Sequence, residues 1–196
     1  LSLPPTAVRS VSSAEPTIHS ITTFRVMRFR FCPDCGAKLE LRQLGDEAGV
    51  PWCTKCDKPW FPVFPVAIIA LVYDEKGRVL LLRQNYISPV FRNLVSGYVV
   101  PGERAEQTMI REIKEETGFD VVEWQLRGTW WFARKEMMMI GFMARVNGGE
   151  PHLSVEVDGA SWHTPEEAVT LVHQRPESVS RILTQMFLDE HRAGLI

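Results

Sequence analysis

The chain has 196 residues, 45% of them hydrophobic, enough for one main domain with a small appendage. Its formal net charge of −2 argues against a broad nucleic-acid-binding surface, which is normally basic. No apolar run approaches the roughly 18 residues needed to span a bilayer, so a membrane-embedded chain is not expected.

The opening segment, up to about Thr23, has no basic start followed by an apolar core. It therefore reads as a loose tail and not as a signal peptide. The expected division is a tail over 1–28, a small metal-binding unit over 29–60 and the main domain over 61–196. The four cysteines form two C-x2-C pairs, Cys32/Cys35 and Cys53/Cys56, with seventeen residues between the pairs. Each such turn lets two thiolates converge, and two turns together supply the tetrahedral sulfur cage that Zn²⁺ prefers. Four thiolates leave no open coordination position, so this zinc would be structural. Gly36 supplies backbone freedom after the first pair. Two local disulfides are the alternative. The clustering favours metal in a reducing, cytoplasmic compartment.

The proline-spaced run from Pro59 to Pro65 cannot be helical and reads as an extended linker. VAIIALVY (66–73) and RVLLLRQ (78–84) flank Asp74-Glu75-Lys76-Gly77 and predict a hairpin of buried strands. FRNLVSGYVV (91–100) predicts another strand, running into a turn at Pro101-Gly102. A helix is expected from near Arg104 to Gly118, a suitable C-terminal glycine. VVEWQLRGTWWFAR and MMMIGFMARV predict two further strands, and a short one is expected around 159–163. Thr164-Pro165 provides a hydroxyl cap and a proline at the first helical position. Val179, Ile182, Leu183, Met186 and Phe187 recur at helical spacing, so that face belongs to the core. Strands followed by helices, with one helix inserted mid-chain, point to an α+β fold.

Gly97, Glu103, Arg111, Glu112, Glu115, Glu116 and Gly118 form the stretch G-x5-E-x7-R-E-I-K-E-E-T-G-F. Glu112, Glu115 and Glu116 stand at i, i+3 and i+4 and share one helical face. Three anions there repel one another unless a cation neutralises them, and Mg²⁺ prefers such oxygen ligands, completed by water and substrate phosphates. A solvated helix with i,i+4 ion pairs is the bland alternative, and it does not account for the flanking glycines and Glu103.

This stretch resembles the signature of the Nudix hydrolases, and the resemblance to a Nudix domain covers roughly Val66 to His191. The resemblance implies a mixed sheet sandwiched between helices, preceded here by a small zinc ribbon. It also implies catalytic Mg²⁺ (or Mn²⁺) on Glu112, Glu115 and Glu116, with the Gly97 carbonyl contributing and Arg111 orienting the carboxylates, Glu103 being one candidate partner. Glu156, in SVEVDGASW, resembles a downstream glutamate that serves the metal site in NADH pyrophosphatases; Glu136 and Glu150 compete with it. A zinc ribbon ahead of the domain also resembles that branch, whose members cleave dinucleotides to mononucleotides and in some cases remove nicotinamide-adenine caps from RNA. Its ribbon helps to form a homodimer. Tyr98 occupies the place of a base-stacking aromatic, and Trp130, Trp131 and Phe132 are further stacking candidates, although strand aromatics also serve as core. The branch signature S-Q-P-W-x-F-P-x-S is matched here only by the aromatic centre of GTWWFARKE, which keeps ADP-ribose or FAD open as substrates. A non-catalytic nucleotide- or RNA-binding module is the third reading. Met137–Met139 read as adaptable packing, and the scattered His152, His163, His173 and His191 are assigned to no metal.

Overall fold

The computed structural model describes residues 29–196; the expected N-terminal tail lies outside the described residues. Near the start of that range stands a three-stranded antiparallel sheet of β1 (Glu40–Leu44), β2 (Glu47–Cys53) and β3 (Lys58–Pro59). Pro59, expected in the linker, instead closes this sheet opposite Trp52. At β3's end, a position that needs no further ladder donor, a proline is tolerated.

The main sheet contains β4 (Val66–Tyr73), β5 (Val79–Arg83), β6 (Val95–Tyr98), β7 (Val121–Phe132), β8 (Met137–Val146) and β9 (Gly159–His163). Its order is β7-β8-β4-β5-β9, with β6 also paired to β4. The β4–β8 pair is parallel and the others are antiparallel, so the sheet is mixed.

β4 reads as an unbroken apolar run because both of its faces are covered. Ile68, Ala70 and Val72 point into one core with Leu80, Leu82 and Val95, closed by Met109 and Ile113 of α1 (Ala105–Thr117). Ile69, Leu71 and Tyr73 point into the second core. That core is closed by Ala168 of α2 (Pro165–Leu171) and by Leu183 and Phe187 of α3 (Val179–Arg192). Each fully buried Leu, Ile or Phe contributes about 1.5–3 kcal/mol, so the two cores clamp the sheet from both sides.

The hairpin of β4 and β5 is shorter than the sequence suggests, with only Val72↔Leu80 and Tyr73↔Val79 in register. β5 leaves β4 to pair along its length with β9, and β6 takes up β4 from Ala67 to Ala70. The strand expected over 91–100 is correspondingly confined to β6. Arg92 and Asn93 make isolated bridges to Val172 and Leu82 instead. Along β4 the antiparallel partner thus changes from β6 to β5 between Ala70 and Val72.

The helix signals act as expected. Thr164 Oγ1 accepts from the Glu167 backbone N–H, and the Glu167 carboxylate accepts from the Thr164 N–H. On α3, Thr184 and Leu188 are buried beside the expected Val179, Leu183 and Phe187. Thr184 meets the cost of a buried hydroxyl by donating to the Ser180 carbonyl, 2.9 Å away.

Candidate active site and metal centre

The helix α1 ends at Gly118, which adopts φ 77° and donates its N–H to the Lys114 carbonyl. A Cβ there would also lie 2.8 Å from Cβ of His152, so both backbone conformation and space call for glycine. At the other end Gln107 Oε1 accepts from the Arg104 N–H, and Thr108 donates to Glu103 at 2.8 Å. These contacts fix the helix that carries the carboxylates.

The guanidinium of Arg111 is the hub of that surface. It grips Glu103 with two bonds, Nε at 2.9 Å and Nη2 at 3.0 Å. Its Nη1 also donates to Glu112 at 2.7 Å and to Glu115 at 3.0 Å. Such a bidentate fork fixes geometry as well as charge. The Arg111 pair holds Glu103 below the usual carboxylate range, with help from Thr108.

The three helix glutamates occupy different environments. Glu115 is largely exposed, with its side chain 58% accessible, and lies outside the cavity described below. Glu112 is mostly covered, and burial pushes its pKa up despite the Arg111 bond. Glu116 is buried, and its pKa rises from 4.5 to about 8, first through desolvation and then through repulsion from Glu112. Its Oε1 accepts a bond from Gln84 Nε2 at 3.3 Å. Its Oε2 is buried without a hydrogen-bond partner. A covered carboxylate with an unsatisfied oxygen beside a second carboxylate fits a hard divalent cation.

Glu112, Glu116 and Glu156 line one open cavity of about 390 Å³. Glu156 reaches it from the turn before β9, whereas Glu136 and Glu150 are not among its lining residues. Among the described residues these carboxylates do not approach one another as tightly as the cysteine sulfurs do. Gly97 contributes by close approach: a Cβ would lie 2.0 Å from the Glu112 carboxylate carbon.

Tyr98 and Phe132 also line this cavity, and Tyr98 is half exposed. Trp131 does not. It packs edge-on against Phe64 at 5.4 Å between ring centres and lines an adjoining cavity that shares Phe132 and Met139 as a wall. Phe132 thus lines both cavities, whereas Trp131 lines only the adjoining one. Trp130 belongs to the second core. Sequence reasoning passed over Gln84, Tyr86 and Lys135. The last two line the cavity, and Gln84 reaches Glu116 beneath it. The one available signal was a glutamine closing the apolar run of β5.

The four cysteines are free thiols, so the disulfide alternative does not hold here. Their sulfurs all lie within 4.8 Å of one another, with Cys32–Cys56 at 3.9 Å and Cys35–Cys53 at 3.6 Å. Tetrahedral Zn–S bonds of about 2.3 Å would place sulfurs about 3.8 Å apart, so the cluster fits a zinc ion. Cys32 and Cys53 are buried, and the first knuckle is closed by Cys32 N–H donating to Ala37 and Gly36 N–H to Cys32. Hydrogen bonding with Cys35, followed by burial, pushes the Cys56 thiol up to about 12. A cation is needed for all four to ionise together.

The NUDIX domain model matches residues 63–185. The chain belongs to that family. Its NUDIX domain is preceded by the cysteine cluster and contains the whole carboxylate cavity. Over 165 residues the chain is 30% identical to "NAD-capped RNA hydrolase NudC" of Stutzerimonas stutzeri, spanning 83% of this chain and 57% of that protein. The protein of the same name from Pseudomonas aeruginosa is 30% identical over 161 residues, spanning 81% and 55%. The chain thus spans little more than half the length of these relatives. Among solved structures, a NUDIX hydrolase from Nitrosomonas europaea superposes with a TM-score of 0.62 at 19% identity, covering 84% of this chain and 93% of that one. That likeness concerns the fold. Members of the family generally require a divalent metal.

Proposed function

We propose that the protein is a Mg²⁺- or Mn²⁺-dependent pyrophosphohydrolase that cleaves the diphosphate of NAD(H)-like dinucleotides into two mononucleotides. The observation carrying this reading is that Glu112 and Glu116 of α1 and Glu156 of a distant turn line a single cavity, walled by aromatic side chains. In this reading Glu112, Glu116 and Glu156, together with the Gly97 carbonyl and Glu115, would hold the divalent metal. When bound, such a metal screens the diphosphate charge, polarises a phosphoryl oxygen and lowers the pKa of coordinated water. Arg111 is committed to Glu103, Glu112 and Glu115, so its part is to orient carboxylates and not to grip substrate. Glu116 must lose its proton before it can serve as a ligand, and its burial, followed by its placement beside Glu112, makes that loss depend on a cation. Tyr98 and Phe132 would stack on a base. Lys135 brings a positive charge to the same cavity, suited to a phosphate.

The cysteine cluster is read as a structural zinc ribbon, a state suited to a reducing cytoplasm. The exposed Phe31, Leu41, Phe61 and Phe64 support the pairing of two copies as a homodimer, which sedimentation would test. NAD-capped RNA fits the same chemistry, since the relatives that cover most of this chain carry that activity in their names.

A second reading keeps the chemistry and changes the substrate to ADP-ribose or FAD. It is favoured by the departure of GTWWFARKE from the dinucleotide signature. Purified protein incubated with Mg²⁺ and NADH, NAD, ADP-ribose, FAD or nucleoside triphosphates separates the readings. NMN with AMP is the product pair expected from NAD, and reduced NMN with AMP that from NADH. Ribose phosphate or FMN alongside AMP would favour the second reading, and no turnover would defeat both.

A further inference from the structure

We infer that Gln84 is a positioning residue for the Glu116 carboxylate, holding Oε1 so that Oε2 is left to a divalent cation. The inference rests on the metal-dependent reading above and adds to it a residue outside the signature helix. Gln84 is 1% exposed, a degree of burial unusual for an amide at the end of an edge-switching strand. Its Nε2 donates to Glu116 Oε1 at 3.3 Å and is shared with the Tyr86 hydroxyl at 3.4 Å. Burying an amide is costly unless its groups are bonded. Here Gln84 Oε1 and Glu116 Oε2 are both buried without hydrogen-bond partners. Two unsatisfied oxygens on adjacent groups are a poor arrangement for stability alone and a good one for receiving a cation and its water.

The backbone of Gln84 also organises the opposite rim. Its carbonyl accepts the N–H groups of Ile87 and Ser88 at 2.9 and 3.0 Å, which turns Tyr86 and Ile87 towards the cavity. The next residue, Asn85, donates its N–H to Asp158 at 2.6 Å, two positions from Glu156. One short segment therefore touches the α1 carboxylate through a side chain and the turn carrying Glu156 through the backbone. Partners of this kind orient ligands, and their loss typically weakens metal affinity or activity by about 10–100-fold.

The test compares wild type with Gln84→Met, which keeps length and burial but removes the amide, and with Gln84→Leu as a second apolar replacement. Mn²⁺ affinity is measured by electron paramagnetic resonance without substrate, with kcat and KM for NADH and the thermal midpoint in chelator measured alongside. The expected result is Mn²⁺ binding at least about tenfold weaker and a lower kcat. KM should be little changed, and the metal-free midpoint should be equal to or above that of wild type. Wild-type Mn²⁺ affinity and kcat in either folded variant would overturn the positioning role alone. Loss of the metal-free midpoint in both variants, with affinity per folded molecule unchanged, would make Gln84 a purely structural residue. Wild type that binds no Mn²⁺ and turns over no diphosphate would sink the metal-dependent reading, and this inference with it.

Discussion

Gly97 and Glu112 are packed so closely that no side chain fits between them: a Cβ on Gly97 would lie 2.0 Å from both Cδ and Oε1 of Glu112. The strand β6 thus forms a wall against which the helix carboxylate is pressed. Gly97→Ala must displace either the strand or the glutamate. Overpacking of this kind costs about 1–3 kcal/mol, so a lower urea midpoint is expected together with a loss of turnover. Unchanged stability and activity would show that the contact is slack.

Glu116→Gln removes a buried charge and keeps the shape. Chelator-treated protein at neutral pH should be at least as stable as wild type, while kcat should fall by more than the roughly 10–100-fold typical of outer-sphere changes. Calorimetry paired with steady-state kinetics measures both. Glu112→Gln should lower kcat similarly, without unfolding the domain.

The raised pKa of Glu116 carries a sign for stability. Because the folded value, about 8, lies above the ordinary 4.5, the folded state holds a proton that the unfolded chain has released. This contribution is complete below about pH 4.5 and is lost as pH rises through about 8. Metal-free protein should therefore lose stability across that window, more steeply than Glu116→Gln. Added Mg²⁺ should stabilise the wild type more strongly as pH rises, because binding displaces the proton. Denaturant titrations at several pH values, with and without Mg²⁺, provide the check.

Phe132→Ala and Tyr98→Ala should weaken substrate binding by about 1–3 kcal/mol each, the usual worth of a base stacked on an aromatic ring. Trp131→Ala should affect KM less, since Trp131 packs on Phe64 outside the carboxylate cavity. A larger effect at Trp131 than at Phe132 would relocate the base to the adjoining cavity.

Cys32→Ser should lower zinc content and thermal stability while leaving kcat of the folded fraction near wild type. Zinc stoichiometry measured beside unfolding curves tests that division between scaffold and chemistry.

The sequence made some of these relationships plain and hid others. The limits of α1 were legible because the Pro101-Gly102 turn and Gly118 punctuate it locally, and β4 because an apolar run of eight residues has few other uses. The cysteine cluster was legible from spacing alone. Gln84 and Lys135 were not, because their importance comes from strands and turns meeting across the sheet, which leaves no local pattern. The same holds for Trp131 and Phe132: both line the adjoining cavity, and that only Phe132 also reaches the carboxylates emerges once β7 is in register with β8. The shortened β6 likewise follows from competition between β5 and β6 for one side of β4.

The parallel pairing of Val66–Tyr73 with Met138–Arg145 also bears on how the molecule forms. The carboxylate helix α1 lies inside the loop that this pairing closes. Closing so long a loop has an entropic cost that comes before its contacts bring any return, which makes such topologies slow to form. Metal affinity should accordingly appear late during refolding, after helix α1 itself has formed.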